Sequence, residues 1–226
     1  TVYCHLSERH PNLPRILPGH CMVSLPAQHF AIEHGALLDG LVLSATTFRT
    51  DPLPAFGAWL ASQMIRWRGA SHRSVLLDFL TVGVLRLMVR KRRTPFDWLS
   101  RDPAVVDAYI ADPLCGNVPS VALWRAVYEG VRFIARREHQ ARIPRFLPIL
   151  LLAGGADPLS GGGRSVSRLA ERYRSLGIAD VTCRIYPGAR HEIFNEINRS
   201  EVHADLLDWL DLRLNQAAAP ERTGTE

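Results

Sequence analysis

The stretch Leu13-Pro-Arg-Ile-Leu-Pro-Gly-His-Cys-Met-Val23 decides how this chain is read. Leu13–Leu17 predicts a short buried strand, Gly19 a tight turn, and Met22 to His34 a helix closed by Gly35, a residue common just past a helix C-terminus. Pro26 falls within the first two helical turns, where proline is tolerated. Strand, turn and helix in that order put Cys21 at the apex of a sharp reversal. Such a turn takes the pattern small–x–nucleophile–x–small, because side chains beside the apex would collide. Gly19 fills the first small position, whereas β-branched Val23 stands at the second. Five residues alone do not separate this turn from a loop; the chain on either side does.

Upstream, Thr1 to His10 reads as the tail of a helix stopped by Pro11-Asn12. The sequence opens on Thr1 inside that helix, which leads us to expect further chain before it. Downstream, Leu38–Ala45 is an apolar run of strand length. From about Thr47 to Asn117 the rhythm changes to helical periodicity with several prolines and Trp59, Trp67 and Trp98. Asp102-Pro103 is a good helix start, with Asp as cap and Pro in the first turn. Within this insertion Val75 to Val89 is strongly apolar, interrupted by Asp78 and Arg86 and followed by Arg90-Lys-Arg-Arg93. It is too short and too charged to span a bilayer. Two readings stay open: a buried cap helix, or a surface-seeking lid with its apolar face toward lipid and its arginines toward headgroups. Ser120 to Glu138 reads as a helix, Pro148–Gly154 as a strand buried on both faces, Val166 to Leu176 as a helix closed by Gly177, Val181–Tyr186 as a strand, and Arg199 to Leu214 as a helix with Val202, Leu206, Leu210 and Leu214 inward. Strands alternating with helices predict an α/β fold on a parallel sheet. The division expected is 1–46 and 118–216 as core, 47–117 as helical cap, and 217–226 as a disordered tail.

Composition narrows the function classes. With 226 residues the chain can hold one core plus an insertion, and 47% apolar against 22% charged residues is ordinary for a globular protein. The net charge of +5 rests on arginine, since Lys91 is the one lysine. Its basic residues lack interleaved aromatics, so no nucleic-acid partner is expected. Cys4, Cys21, Cys115 and Cys183 show no CxxC spacing, which indicates neither a zinc site nor a disulfide scaffold. No signal peptide and a reducing, cytoplasmic setting are expected. No cofactor is expected either.

In sheets of this class functional groups collect at the carboxyl ends of strands. Cys21 follows the first strand, Asp157 follows the third in Gly154-Gly-Ala-Asp-Pro-Leu-Ser160, and His191 follows the fourth in Tyr186-Pro-Gly-Ala-Arg-His-Glu-Ile-Phe-Asn195. Nucleophile, acid, histidine is a triad order. A thiol or hydroxyl must lose its proton to attack a carbonyl, so a histidine takes it and later protonates the leaving group. The carboxylate fixes the imidazole tautomer and stabilises its cation.

The segment Gly188-Ala-Arg-His-Glu-Ile-Phe-Asn-Glu196 resembles the histidine motif of the monoacylglycerol lipase and lysophospholipase group of α/β-hydrolases, related to serine aminopeptidase S33-like domains. So do Gly154–Ser160, Asp97-Trp-Leu-Ser-Arg-Asp-Pro103, Asp112-Pro-Leu-Cys115, Ala27-Gln-His-Phe and Gly40-Leu-Val-Leu-Ser-Ala-Thr46. The likeness runs from Val2 to about Leu214. It implies an α/β-hydrolase fold with a helical cap, Asp157 as acid, His191 as base, Cys21 at the nucleophile position, and a lipid-like ester as substrate. It also implies an oxyanion donor in the Met22 backbone N–H, with the second donor and further strands expected upstream of Thr1. The family elbow reads Gly-His-Ser-Met-Gly; here it is Gly19-His-Cys-Met-Val23, and Val23 is expected to crowd the turn. Three readings follow: an acyl-ester hydrolase, an inactive remnant that binds an acyl chain, or a cysteine-nucleophile hydrolase of thioesters or lactones. Peripheral membrane contact through the cap accompanies the first, and oligomeric state is left open.

Overall fold

The computed structural model describes residues 2–218. Helix α1 (Val2–Arg9) leads into strand β1 (Ile16–His20), a short 3-10 turn at Cys21–Val23 and helix α2 (Ser24–His34). Strand β2 (Gly40–Ser44) follows. Strand β1 starts later than Leu13–Leu17 predicts and runs up to the turn. It pairs with β2 from Ile16↔Gly40 to His20↔Ser44. Pro18 lies inside it, and β1 is an edge strand of the described sheet, where the missing N–H is tolerated.

The insertion holds α3 (Leu53–Arg68), α4 (Val75–Asp78), a π-helical turn at Phe79–Gly83, α5 (Val84–Met88) and α6 (Pro103–Ala111). Asp102 caps α6 by accepting a hydrogen bond from Ala104 N, as its position predicts. The chain then returns through α7 (Val121–Ala135), α8 (Arg137–Gln140), β3 (Ile149–Gly154), α9 (Arg164–Ser175), β4 (Val181–Tyr186) and α10 (Arg199–Ala218). Helix α7 packs against both α2 of the core and α3 of the insertion. The close α3–α7 approach is set by Gly57, where a Cβ would come within 2.5 Å of the Tyr128 ring.

All four strands are parallel in the order β1-β2-β3-β4. Every residue of β2 and β3 is buried, which is why both read as unbroken apolar runs. Leu41, Leu43, Ile149 and Leu151 face a cluster with Ala31, Ile32, Leu169 and Tyr173 from α2 and α9. Val42, Leu150 and Leu152 face Val202 and Trp209 of α10. Trp209 takes the inward place that the sequence gives to Leu214, which is exposed. The helix runs through Ala218, past the start expected for the tail; residues 219–226 and Thr1 lie outside the described residues.

The apolar run Val75–Val89 is not a buried cap helix. Among its apolar residues Leu77 and Leu85 are buried, while Val75, Leu76, Phe79, Leu80, Val84, Leu87 and Met88 are exposed. The π turn adds a residue to one turn and rotates everything after it, so a helix apolar on all sides cannot present one side to the core. No helix among the described residues is long and apolar enough to cross a membrane.

Candidate active site

The apex residue adopts the backbone the turn demands: Cys21 has φ +51°, a left-handed conformation unusual outside glycine. Such strain costs about 1–3 kcal/mol and persists where the surroundings over-determine it. Two features do so here. Strand β1 passes the start of α2 so closely that a Cβ on Gly19 would lie 2.7 Å from Ala27 Cβ and 2.8 Å from Ser24 Cα. Beneath the turn runs a chain of buried hydrogen bonds. The Tyr173 hydroxyl, kept protonated by burial, donates to Gln28 Oε1 at 2.9 Å. The Gln28 amide donates to Thr46 Oγ1 at 3.0 Å, Thr46 bonds Ser24 Oγ at 2.7 Å, and Ser24 donates to the Cys21 carbonyl. Val23 does not crowd this packing. Its side chain is 58% exposed, on the outside of the turn, which corrects the expectation that it would displace the elbow.

Asp157 sits in the loop after β3 and is fully buried. Its Oδ1 accepts from Leu159 N at 2.9 Å, and its backbone carbonyl accepts from Gly162 N at 2.8 Å. The acid loop and the histidine loop are joined edge to edge, with Gly155 N donating to Tyr186 O and Ala156 N to Ala189 O, both at 2.8 Å. Gly154 permits this: a Cβ there would stand 2.1 Å from the Arg190 carbonyl oxygen. The contact brings His191 Nδ1 to 3.2 Å from Asp157 Oδ1, with both side chains out of solvent. His191 Nε2, also buried, makes no well-formed hydrogen bond, and the Cys21 thiol lies within interaction range of the same ring. Cys21, Asp157 and His191 therefore meet, from the ends of three strands.

Burial opposes the charged form of His191. The Asp157 hydrogen bond and charge, together with the neighbouring Cys21 thiol, outweigh it, and the pKa is pushed up from 6.5 to about 10. A pKa raised on folding means that the native state holds a proton the unfolded chain has released. The resulting stability is complete below pH 6.5 and is lost as pH rises through about 10. Urea midpoints of the parent and of His191→Gln should therefore differ most below pH 6.5 and converge above pH 10; a gap that widens with pH would contradict this.

Residues that the triad pattern does not name complete the site. His20 Nδ1 lies 3.0 Å from Ser44 Oγ, and its Nε2 lies 3.1 Å from Glu192 Oε1. Burial works against the Glu192 carboxylate, but the His20 hydrogen bond, the two imidazoles and Asn195 hold its pKa below the usual range. The segment Asp97–Asp102 of the insertion is stitched to the histidine loop. The Trp98 ring packs 4.9 Å from His191, and its carbonyl accepts from His191 N at 3.3 Å. Leu99 O accepts from Glu192 N at 2.7 Å, and Arg190 donates to Ser100 O at 3.0 Å. Glu196, fully buried, accepts from Arg101 N, Arg101 Nε, Arg190 N and Ile197 N at 2.8–3.0 Å. An open cleft of about 680 Å³ lined by Phe48, Arg49, Asp51, Leu159, Arg168 and Arg172 contains none of the three triad candidates.

A family model described as serine aminopeptidase, S33 matches residues 1–198. A monoacylglycerol lipase of Mycolicibacterium smegmatis is 28% identical over 206 residues, which cover 89% of this chain. The chain spans 63% of that relative's length. A thermostable carboxyl esterase of Bacillus coagulans, solved with glycerol, superposes with a TM-score of 0.86 at 26% identity, over 93% of this chain and 68% of that one. The monoacylglycerol lipase of Paleococcus ferrophilus shares the fold, with a TM-score of 0.70 at 24% identity over 94% of this chain and 74% of that one. The family match runs unbroken through the strand ends that carry Cys21, Asp157 and His191, and the chain belongs to the serine aminopeptidase S33 family of hydrolases, built on the α/β-hydrolase fold.

Proposed function

We propose that this chain is the catalytic part of a carboxylic-ester hydrolase of the monoacylglycerol lipase type, with Cys21 as nucleophile, His191 as acid–base and Asp157 as its orienting carboxylate. The observation that carries this is His191 Nδ1 on buried Asp157, with the thiol of the left-handed apex residue in the surroundings of the same ring. His191 takes the Cys21 proton, the thiolate attacks the acyl carbon, and the imidazolium returns the proton to the departing alcohol. Water, deprotonated by the same ring, then hydrolyses the thioester. The backbone N–H of Met22, in the first turn after the apex, is the oxyanion donor of this reading. Hydrolysis of p-nitrophenyl esters and monoacylglycerol tests it, with His191→Ala as the comparison; equal rates in the two proteins would remove the catalytic assignment.

The cysteine itself favours a second reading, hydrolysis of thioesters. Expulsion of a thiolate leaving group competes evenly with expulsion of Cys21, whereas an alkoxide competes poorly. Either way, residues 47–117 act as the cap over an acyl chain. The exposed side chains Leu76, Phe79, Leu80, Leu87 and Met88, beside Arg90-Lys-Arg-Arg93, suit contact with an anionic lipid surface. Such contact is expected to sediment the chain with vesicles rich in anionic lipid and to fail after Leu80→Asp/Leu87→Asp; equal sedimentation of both would place lipid contact elsewhere. Cys21, Cys115 and Cys183 are free thiols, which fits a reducing, cytoplasmic compartment.

A further inference from the structure

Apart from the triad, we propose that the open cleft beside the acid loop is a binding site for a small soluble phosphomonoester. Its walls come from the segment after β2 (residues 47–51), the loop after β3 (residues 158–161) and one side of α9. Ser165, Arg168 and Arg172 line it from α9. Their spacing of three and four residues puts them on one stripe of the helix, while Val166, Leu169, Ala170 and Tyr173 fill the core from another.

Two hydroxyls in these walls point to a ligand. Ser165 is only 7% exposed, and its Oγ is buried with no hydrogen-bond partner in the chain. Thr47 Oγ1, on the wall after β2, is buried and unpartnered in the same way. Buried polar atoms are almost always paired, so two orphans on one cleft call for a partner that the chain itself does not supply. Ser165 lies in the first turn of α9, where the helix dipole favours a negative group. The glycine run before that helix is not the cradle. Gly161, Gly162 and Gly163 all have positive φ, but their N–H groups donate inward, to Pro158 O, Asp157 O and Ser160 Oγ. The arginines are then the groups left to hold an anion.

Charge selects a dianion. Arg49, Arg168 and Arg172 line the cleft with Asp51 and Glu171, and Arg164 sits at its rim with Nε on Gly161 O at 2.9 Å. Arg49 pairs with Asp51 at 3.0 Å, and Arg172 lies over the Phe48 ring at 5.4 Å. Arg168 forms no ion pair or hydrogen bond among the described residues. Four guanidinium groups against two carboxylates leave two positive charges. A phosphomonoester carries about −1.5 to −2 at neutral pH, and its oxygens match the planar fork of arginine. A carboxylate ligand would leave one of the two charges unanswered. Inorganic phosphate would leave most of the roughly 680 Å³ empty, a volume usual for small organic ligands. Phe48, half-buried in the same wall, offers the organic part an apolar surface.

Calorimetric titration of the whole chain in phosphate-free buffer tests this with phenyl phosphate and inorganic phosphate. One phenyl phosphate per chain is expected, bound more tightly than inorganic phosphate. Arg168→Gln should weaken it about tenfold or more, the size of one charge-assisted hydrogen bond. Arg168 is exposed, so this change leaves the fold intact. Ser165→Ala should also weaken binding, yet leave the ligand-free chain no less stable, because the lost hydroxyl bonds to nothing. Three results would overturn the site: heat of dilution alone with the parent chain, equal affinity in the parent and both variants, or an equal loss in Arg132→Gln, an exposed arginine of α7 outside the cleft. Displacement of phenyl phosphate by phosphatidate vesicles would overturn a soluble ligand. None of these readouts involves acyl transfer, so they stand whether or not the chain hydrolyses esters.

Discussion

Cys21→Ser hydrolyses oxygen esters faster than the parent chain, and the added His191→Ala change removes that activity by a factor on the order of 10⁴ or more. The first half of this expected result follows from how a tetrahedral adduct collapses. With sulfur at the apex, thiolate leaves more readily than the substrate alkoxide, so most adducts return to starting ester. With oxygen there the two leaving groups are comparable, and more adducts proceed. The buried imidazole adds to that gain and is also why His191→Ala abolishes it. The neighbouring Cys21 thiol is one of the two groups that hold the proton on His191, Asp157 being the other. Without the thiol the pKa of His191 falls, toward the range in which an imidazole works as a general base near neutral pH. An NMR titration of His191 should show that fall alongside the gain in rate. Val23→Gly should add little to Cys21→Ser, because the Val23 side chain already points outward. No gain in Cys21→Ser would shift weight to the reading in which the pocket holds an acyl chain without turnover.

Glu196→Ala is expected to destabilise the fold by about 3–5 kcal/mol. This carboxylate has no solvent exposure and four hydrogen-bond donors, and the Arg101 guanidinium 2.9 Å away is itself only 27% exposed. Truncation would strand three backbone N–H groups and a cation together, and each unsatisfied buried donor costs roughly 1–3 kcal/mol. Glu196→Gln keeps one acceptor oxygen and should lose less. Denaturant midpoints measure both; a Glu196→Ala midpoint within error of the parent would show that the loop holds without its carboxylate. Any ester hydrolysis should fall faster than stability, since Arg190 N, one of the four donors, precedes His191.

The strands that form the sheet were legible because β2 and β3 are buried on both faces, which gives continuous apolar runs with no competing reading. The edge strand β1 was placed too early: Pro18 and Gly19 look like turn residues, and only the register against Gly40–Ser44 shows that they extend the strand. Asp157 and His191 were legible because each ends a strand in triad order. His20, Ser44 and Glu192 were not, although two of them are sequence neighbours of Cys21 and His191, since nothing in a linear pattern shows that His20 reaches across to Glu192. Val75–Val89 was ambiguous because hydrophobicity alone carries no direction; the π turn at Phe79–Gly83 decides which side chains face out.

The stitching of Asp97–Asp102 to the histidine loop has a consequence for how the two parts of the molecule can be exchanged. By sequence the insertion ends near Asn117, but its segment Asp97–Asp102 is held to the histidine loop. The carbonyls of Trp98 and Leu99 hold the backbone of His191 and Glu192, and that of Ser100 holds the Arg190 side chain. A cap transplanted from a relative with its junction at Asn117 would therefore carry away the clamp on His191. A junction placed ahead of Asp97, near Lys91, whose left-handed φ of +53° marks a break in the chain's course, would leave that clamp with the parallel sheet it serves. The exchangeable part of the insertion is thus α3 to α5.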